Sequence, residues 1–186
     1  MFHSNTRSLI STWNEHRHGR RLPARTDLSP IDLGPLLPQV FILGREPDGQ
    51  EVFRLAGGLI ADLHGQDLRA MTLTGLWPTE QRRLVAEALD RARAAASPVV
   101  LTVDASADTG GGIMSESVGV EITLAPLTGP TGAMDRTIGL YQPISTVARL
   151  MGRPVARLDL RSVELAGNTA PRSHLRLVVL NGQRVA

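Results

Sequence analysis

The chain has 186 residues, enough for one domain with extensions and a sizeable buried core. It contains no cysteine, which excludes disulfides, thiol catalysis, iron–sulfur ligation and cysteinyl–flavin photochemistry within this chain. Net charge is only +2 at pH 7 and all 20 basic residues are arginine, so the high isoelectric point reflects groups that do not titrate rather than a strong positive field.

Charge is unevenly distributed. Residues 1–25 and 149–186 are basic, while residues 26–148 carry an acidic excess. The basic residues alternate with apolar ones instead of clustering, which favours docking of the two ends on the middle over an anionic partner. Residues 1–13 lack the apolar segment and small-residue cleavage site of an export signal, and no apolar run approaches the roughly 20 residues of a membrane span. A cytoplasmic protein with no membrane partner is the expectation. Hydrophobic residues make up 42% and aromatic ones 3%, so the core must be mainly Leu, Val, Ile and Ala.

Leu9, Ile10 and Trp13 share one helical face, predicting a helix over residues 8–18 that ends at Gly19 with His16, Arg17 and His18 in its last turn. His16 and His18 are two apart, so a helix points them away from each other and they cannot share a metal; no metal site is expected. Ser29 and Pro30 are a good cap and first residue for a short helix over 30–36. Residues 39–45 are apolar on both faces and predict a central strand, which a Pro47–Asp48–Gly49–Gln50 turn returns as a strand over 51–55. A short helix over 59–64 ends at Gly65, and a long one over 79 to about 96 carries the stripe Leu84, Val85, Ala88, Leu89 and Ala92. Strands are predicted over 99–103, 118–124 and 136–141, with residues 104–117, including Gly110–Gly111–Gly112, as a glycine-rich loop between the first two. Two further strand-like runs, 155–165 and 174–180, follow across a polar link at 167–172. Hairpins cannot make a parallel sheet, so these elements form an antiparallel sheet with helices packed on it, an α+β architecture.

Trp13, Arg20, Pro23-x-Arg25-x-Asp27-x-x-Pro30, Leu36–Leu37–Pro38, Phe53–Arg54–Leu55–Ala56–Gly57, Gly65–Gln66–Asp67–Leu68 and Leu76–Trp77 occur in one order over residues 9 to about 145. In that order and spacing the chain resembles a bacterial PAS-type sensory domain, of a family long catalogued as a domain of unknown function. Gly58 stands where that family usually has threonine. The resemblance implies a five-stranded antiparallel sheet with helices on one face, here with an N-terminal helix and a C-terminal strand extension. The corresponding divisions are residues 1–37 for the N-terminal helix and capping segment, 38–146 for the core and 147–186 for the basic extension. It also implies a small pocket, for which Phe41, Phe53, Leu55, Leu63, Leu68, Trp77, Ile122 and Leu124 are the candidate lining, with Arg54 and His64 as polar candidates.

Arg25 and Asp27 read as a structural salt bridge or cap that fixes the N-terminal helix, rather than a grip on a ligand. Arg54 could bind an anion or pair with Glu121 across the sheet. His64 reads as a dipole cap, the competing reading being a haem ligand; no cofactor is expected. The glycine run lacks the Gly-Lys-Ser/Thr of a phosphate loop, and no catalytic constellation is evident, so no catalytic residue is assigned. Arg157, Arg161, Arg172 and Arg176 lack interleaved aromatics, which argues against nucleic acid. The expected function is a non-catalytic sensory or regulatory module, a homodimer through the N-terminal helix, that binds a small ligand or partner protein and signals in trans to an unidentified polypeptide. One alternative is an enzyme or binding protein for a small apolar substrate, which would need Asp62, His64 or Glu121 inside the pocket as acid or base; another is a purely structural adapter whose pocket is packed by its own side chains.

Overall fold

A computed structural model describes residues 1–107 and 117–166, with the backbone of two short strands near the C-terminus. The glycine run at 110–112, the link at 167–172 and the arginines at 172 and 176 lie outside the described residues.

The doubly apolar run becomes β1 (Val40–Arg45), hydrogen-bonded to β2 (Glu51–Ala56) on one side and β5 (Arg136–Pro143) on the other. Between β1 and β2, Gly49 turns the chain at φ +85°, a conformation that glycine adopts without a side-chain clash. β3 (Val99–Ala107) pairs with β4 (Val118–Leu127), and β4 pairs with β5. β6 (Val155–Leu165), the first strand of the C-terminal extension, lies along the free edge of β3. The sheet order is β2-β1-β5-β4-β3-β6, every neighbour antiparallel. The five strands expected from sequence are present and β6 adds a sixth. β3 and β4 run further than expected, because β6 pairs β3 as far as Ala107 and β5 pairs β4 as far as Leu127. Of the predicted run at 174–180, Val179–Leu180 (β7) pairs with Gln183–Arg184 (β8).

Alternation divides the sheet into two apolar layers. Phe41, Leu43, Ile122, Leu124 and Tyr141 face an inner layer formed with α3 (Gly58–His64), the 3-10 turn Leu73–Leu76 and α4 (Thr79–Ala95). Val85, Ala88, Leu89 and Ala92 of α4 seal it, as the stripe predicts, whereas Leu84 is only half-buried. Val40, Ile42, Ala125, Leu127, Ile138 and Leu140 face the other way and are covered by Leu9 and Trp13 of α1 (Ser4–Glu15) and by Leu22, Leu28, Leu33 and Leu36.

α1 begins earlier and ends earlier than its periodicity suggests. Its start is held by His3, whose backbone N–H donates to the Glu121 carboxylate (3.0 and 3.2 Å) and whose Nδ1 accepts from the Asn5 N–H (3.2 Å). Its end precedes His18 and Gly19, both at positive φ, so His16 to His18 lie beyond the last turn. Arg17 instead lies 5.3 Å from the Trp13 ring centroid. The helix expected over 30–36 splits at Gly34 (φ +45°) into α2 (Pro30–Leu33), capped reciprocally by Ser29 and Asp32, and a 3-10 stretch, Gly34–Gln39. The basic N-terminal segment docks on the middle of the chain: Ala24 bridges to Thr128, Arg21 donates to the Ala94 carbonyl (2.8 Å), and Asn5 donates to Gln142 (2.8 Å). Among the described residues no helix is long and apolar enough to cross a membrane.

Candidate functional site

Phe41 and Phe53 meet edge to face, with ring centroids 5.4 Å apart at 60°. Phe41 rests on Gly139, its cross-strand partner on β5, where an added Cβ would fall inside the ring. Six of the candidate lining residues, Phe41, Phe53, Leu68, Trp77, Ile122 and Leu124, come together in the inner layer, none more than 2% exposed. Leu63 packs half-buried at its margin.

Leu55 and Arg54 do not join them. A bulge on β2 leaves Arg54 without a partner, since Ile42 pairs with Leu55 and Leu43 with Phe53. One extra residue reverses the alternation, so Leu55 falls on the outer face of the edge strand and is 45% exposed. Arg54 lies outward across Gly44 and forms an ion pair with Glu46, not with Glu121. Glu121 belongs to the outer face, where it accepts from His3, and Asp62 is exposed.

Arg25 and Asp27 do not pair with each other. The Asp27 carboxylate accepts from the Ala24 N–H (2.7 Å) and from Arg20, while Arg25 donates to the Leu28 carbonyl (3.1 Å). Burial works to raise the Asp27 pKa, but the Ala24 and Arg20 hydrogen bonds and the Arg20 charge outweigh it and hold the carboxyl below its ordinary value.

Polar atoms interrupt the inner layer at three places. His64, the last residue of α3, is 6% exposed and stands edge-on to Tyr141, ring centroids 5.6 Å apart at 81°. It hydrogen-bonds the Val155 backbone, and its Nε2 has no partner among the described residues. Tyr141 Oη and Trp77 Nε1 also lack partners among those residues. Trp13 shows the ordinary case, its Nε1 donating to the Pro126 carbonyl at 2.8 Å. Each unmatched buried group costs about 1–3 kcal/mol. Burial pushes the His64 imidazole down to about 4, against the opposing Val155 hydrogen bond, so the ring is neutral at pH 7 and is no charged cap for the helix dipole. Burial also raises the Tyr141 phenol, which stays protonated. A neutral imidazole, a phenol and an indole N–H can together donate and accept hydrogen bonds, but they hold no charge against a substrate.

Tyr141 was not among the candidates read from sequence. It is the only tyrosine of the chain, and a strand phase that puts Gly139 under Phe41 also puts Tyr141 on the inner face.

A family model described as "PAS domain" matches residues 1–142. The chain belongs to the PAS-domain family. No curated protein matches its sequence. Among solved structures, this PAS chain is similar to an RNA-binding Light-Oxygen-Voltage receptor at 14% identity and TM-score 0.42, covering 61% of this chain and 31% of that one. It is also similar to the light state of the blue-light photoreceptor Aureochrome1 LOV, at 15% identity, TM-score 0.43, and 62% and 88% coverage. A variant of RsLOV aligns at 10% identity, TM-score 0.44, and 79% and 72% coverage. The PAS assignment rests on the family match.

Surface clefts of the PAS fold include two among the described residues. One of about 190 Å³ separates the β1–β2 turn from α4, and another of about 230 Å³ lies beside Arg20, Arg21 and Thr128.

Proposed function

We propose that the protein is a non-catalytic PAS sensory module that takes a small, largely apolar ligand into its inner layer and passes the change to a separate signalling protein. The observation that supports this most is the set of unmatched atoms His64 Nε2, Tyr141 Oη and Trp77 Nε1 in an otherwise apolar layer. A ligand with one or two hydrogen-bonding groups would satisfy them and gain the apolar contact of Phe41, Leu68 and Ile122. Entry would displace Leu63 and Leu76, two of the half-buried residues packed on the layer. The enzyme reading has less support, because of its three candidate acids and bases only His64 reaches this layer.

A homodimer through α1 would have to use the outward side of that helix, since Leu9 and Trp13 are spent on the chain's own sheet. Arg7, Ser11 and Asn14 are exposed, so such an interface would be polar and concentration-dependent.

Native mass spectrometry of the purified protein, with its absorbance spectrum, tests the ligand reading. A co-purifying small molecule is expected, with occupancy lowered about tenfold in Tyr141→Phe, the effect of about 1.4 kcal/mol of lost hydrogen bonding. A bare protein that Tyr141→Phe makes more stable would refute the ligand and leave partner binding as the function.

A further inference from the structure

The first cleft holds a feature that the PAS core does not explain. Glu51, at the start of β2, and Arg93, on the last turn of α4, are each 6% exposed, and both line it. They form an ion pair with each other. Around them the Arg93 guanidinium reaches Thr137 Oγ1 and Asp90, each at 3.5 Å, and Arg45 reaches Asp90 at 3.5 Å and Glu51 at 4.0 Å. Despite that network, Glu51 Oε2 and Arg93 Nε have no partner among the described residues.

A buried ion pair repays the cost of leaving water only when its remaining lone pairs and protons are also satisfied. Here one carboxylate oxygen and one guanidinium N–H are left over beside a cleft of about 190 Å³, many times the roughly 10–15 Å³ that a single water needs. The unmatched acceptor belongs to a carboxylate and the unmatched donor to a guanidinium. A molecule that carries a positive donor and a negative acceptor close together would match both, with charge-assisted hydrogen bonds stronger than those of a neutral molecule. Leu89 and Ala86 supply an apolar wall for a modest side chain. Burial favours the protonated form of Glu51 while Arg93 and Arg45 pull the other way, so an added ammonium would favour its charged form.

We propose that this cleft is a second ligand site, distinct from the PAS inner layer, that binds a small zwitterion of the α-amino-acid type. The ammonium lies against Glu51 and Asp90, and the carboxylate against Arg93 and Arg45. The site joins the β1–β2 hairpin to the C-terminal turn of α4, so occupancy would tie the edge of the sheet to the helix that covers it.

Isothermal titration calorimetry of the full chain with glycine, L-serine, L-leucine and L-glutamine tests the proposal. Propionate, n-butylamine and acetamide serve as probes with one charge or none. At least one zwitterion should bind with Kd near or below about 1 mM, and the three simpler probes at least about tenfold more weakly. Ala86→Trp, an exposed position on the cleft wall, should weaken binding about tenfold with the circular dichroism and Tm unchanged. Glu51→Gln should weaken it likewise where the variant folds. Absence of binding by all four amino acids, equal binding of a simpler probe, or unaltered binding in Ala86→Trp would each overturn the assignment. The inner-layer ligand is untouched by Ala86→Trp, so the two sites succeed or fail separately.

Discussion

Phe41 occupies the inner layer because its cross-strand partner has no side chain. Gly139→Ala would drive a methyl into the ring and should destabilise the fold by about 1–3 kcal/mol in denaturant unfolding. Combining it with Phe41→Leu should cost less than the sum of the two single changes, since they relieve one contact. At His64 the folded chain refuses a proton until about pH 4, while the unfolded chain accepts one near 6.5. Across that window the unfolded state binds more protons, so His64 withdraws stability as pH falls, by up to about 3 kcal/mol. Glu51 acts in the opposite direction, because its raised pKa lets the folded state take up a proton first. His64→Leu should therefore flatten the fall in stability between pH 6.5 and about 4; an unchanged fall would show that the ring is charged in the folded protein.

Among the elements, β2 shows how a single inserted residue redirects a side chain. The bulge at Arg54 leaves Phe53 inside and turns Leu55 out, so Leu55→Thr should change stability by no more than about 0.5 kcal/mol, whereas Phe53→Ala should cost about 3–5 kcal/mol. Equal losses for the two would put Leu55 back in the core. The loop after Leu68 carries Ala70 at φ +65°, exposed and strained for a residue with a Cβ. Ala70→Gly should raise stability by about 1 kcal/mol, seen as a higher Tm. The hydrophobic pattern predicts these elements well where alternation or the helical period is unbroken, as in β1 and α4. It fails at Leu55 because a bulge leaves no mark in the sequence that a plain alternating strand would lack.

Across the whole molecule, both faces of the sheet are covered by parts of the same chain. α1 closes the outer face, and Trp13 anchors it through a buried ring and the hydrogen bond to Pro126. Trp13→Ala should cost about 3–5 kcal/mol and expose Leu140 and Leu127, leading to self-association detectable by light scattering. The basic ends meet the acidic middle through Arg20 with Asp27, Arg157 with Glu80 and Arg161 with Asp104. Arg157 and Arg161 are more than half exposed, so their pairs orient the chain more than they stabilise it.

The order of strands and helices, the buried character of β1, the α4 stripe and the docking of the N-terminal segment follow from local periodicity, caps and charge distribution, and all of these were readable from the sequence. What needed the tertiary structure was every feature that depends on register between distant segments. The pairing of β1 with β5 puts Gly139 beneath Phe41, and the same strand phase sets Tyr141 facing inward, where His64 reaches it from α3. Likewise Glu51 and Arg93 are 42 residues apart, and nothing local to either indicates the other. Hydrophobic periodicity reports which face of an element is buried, whereas the partners that share that burial are chosen by packing across the sheet.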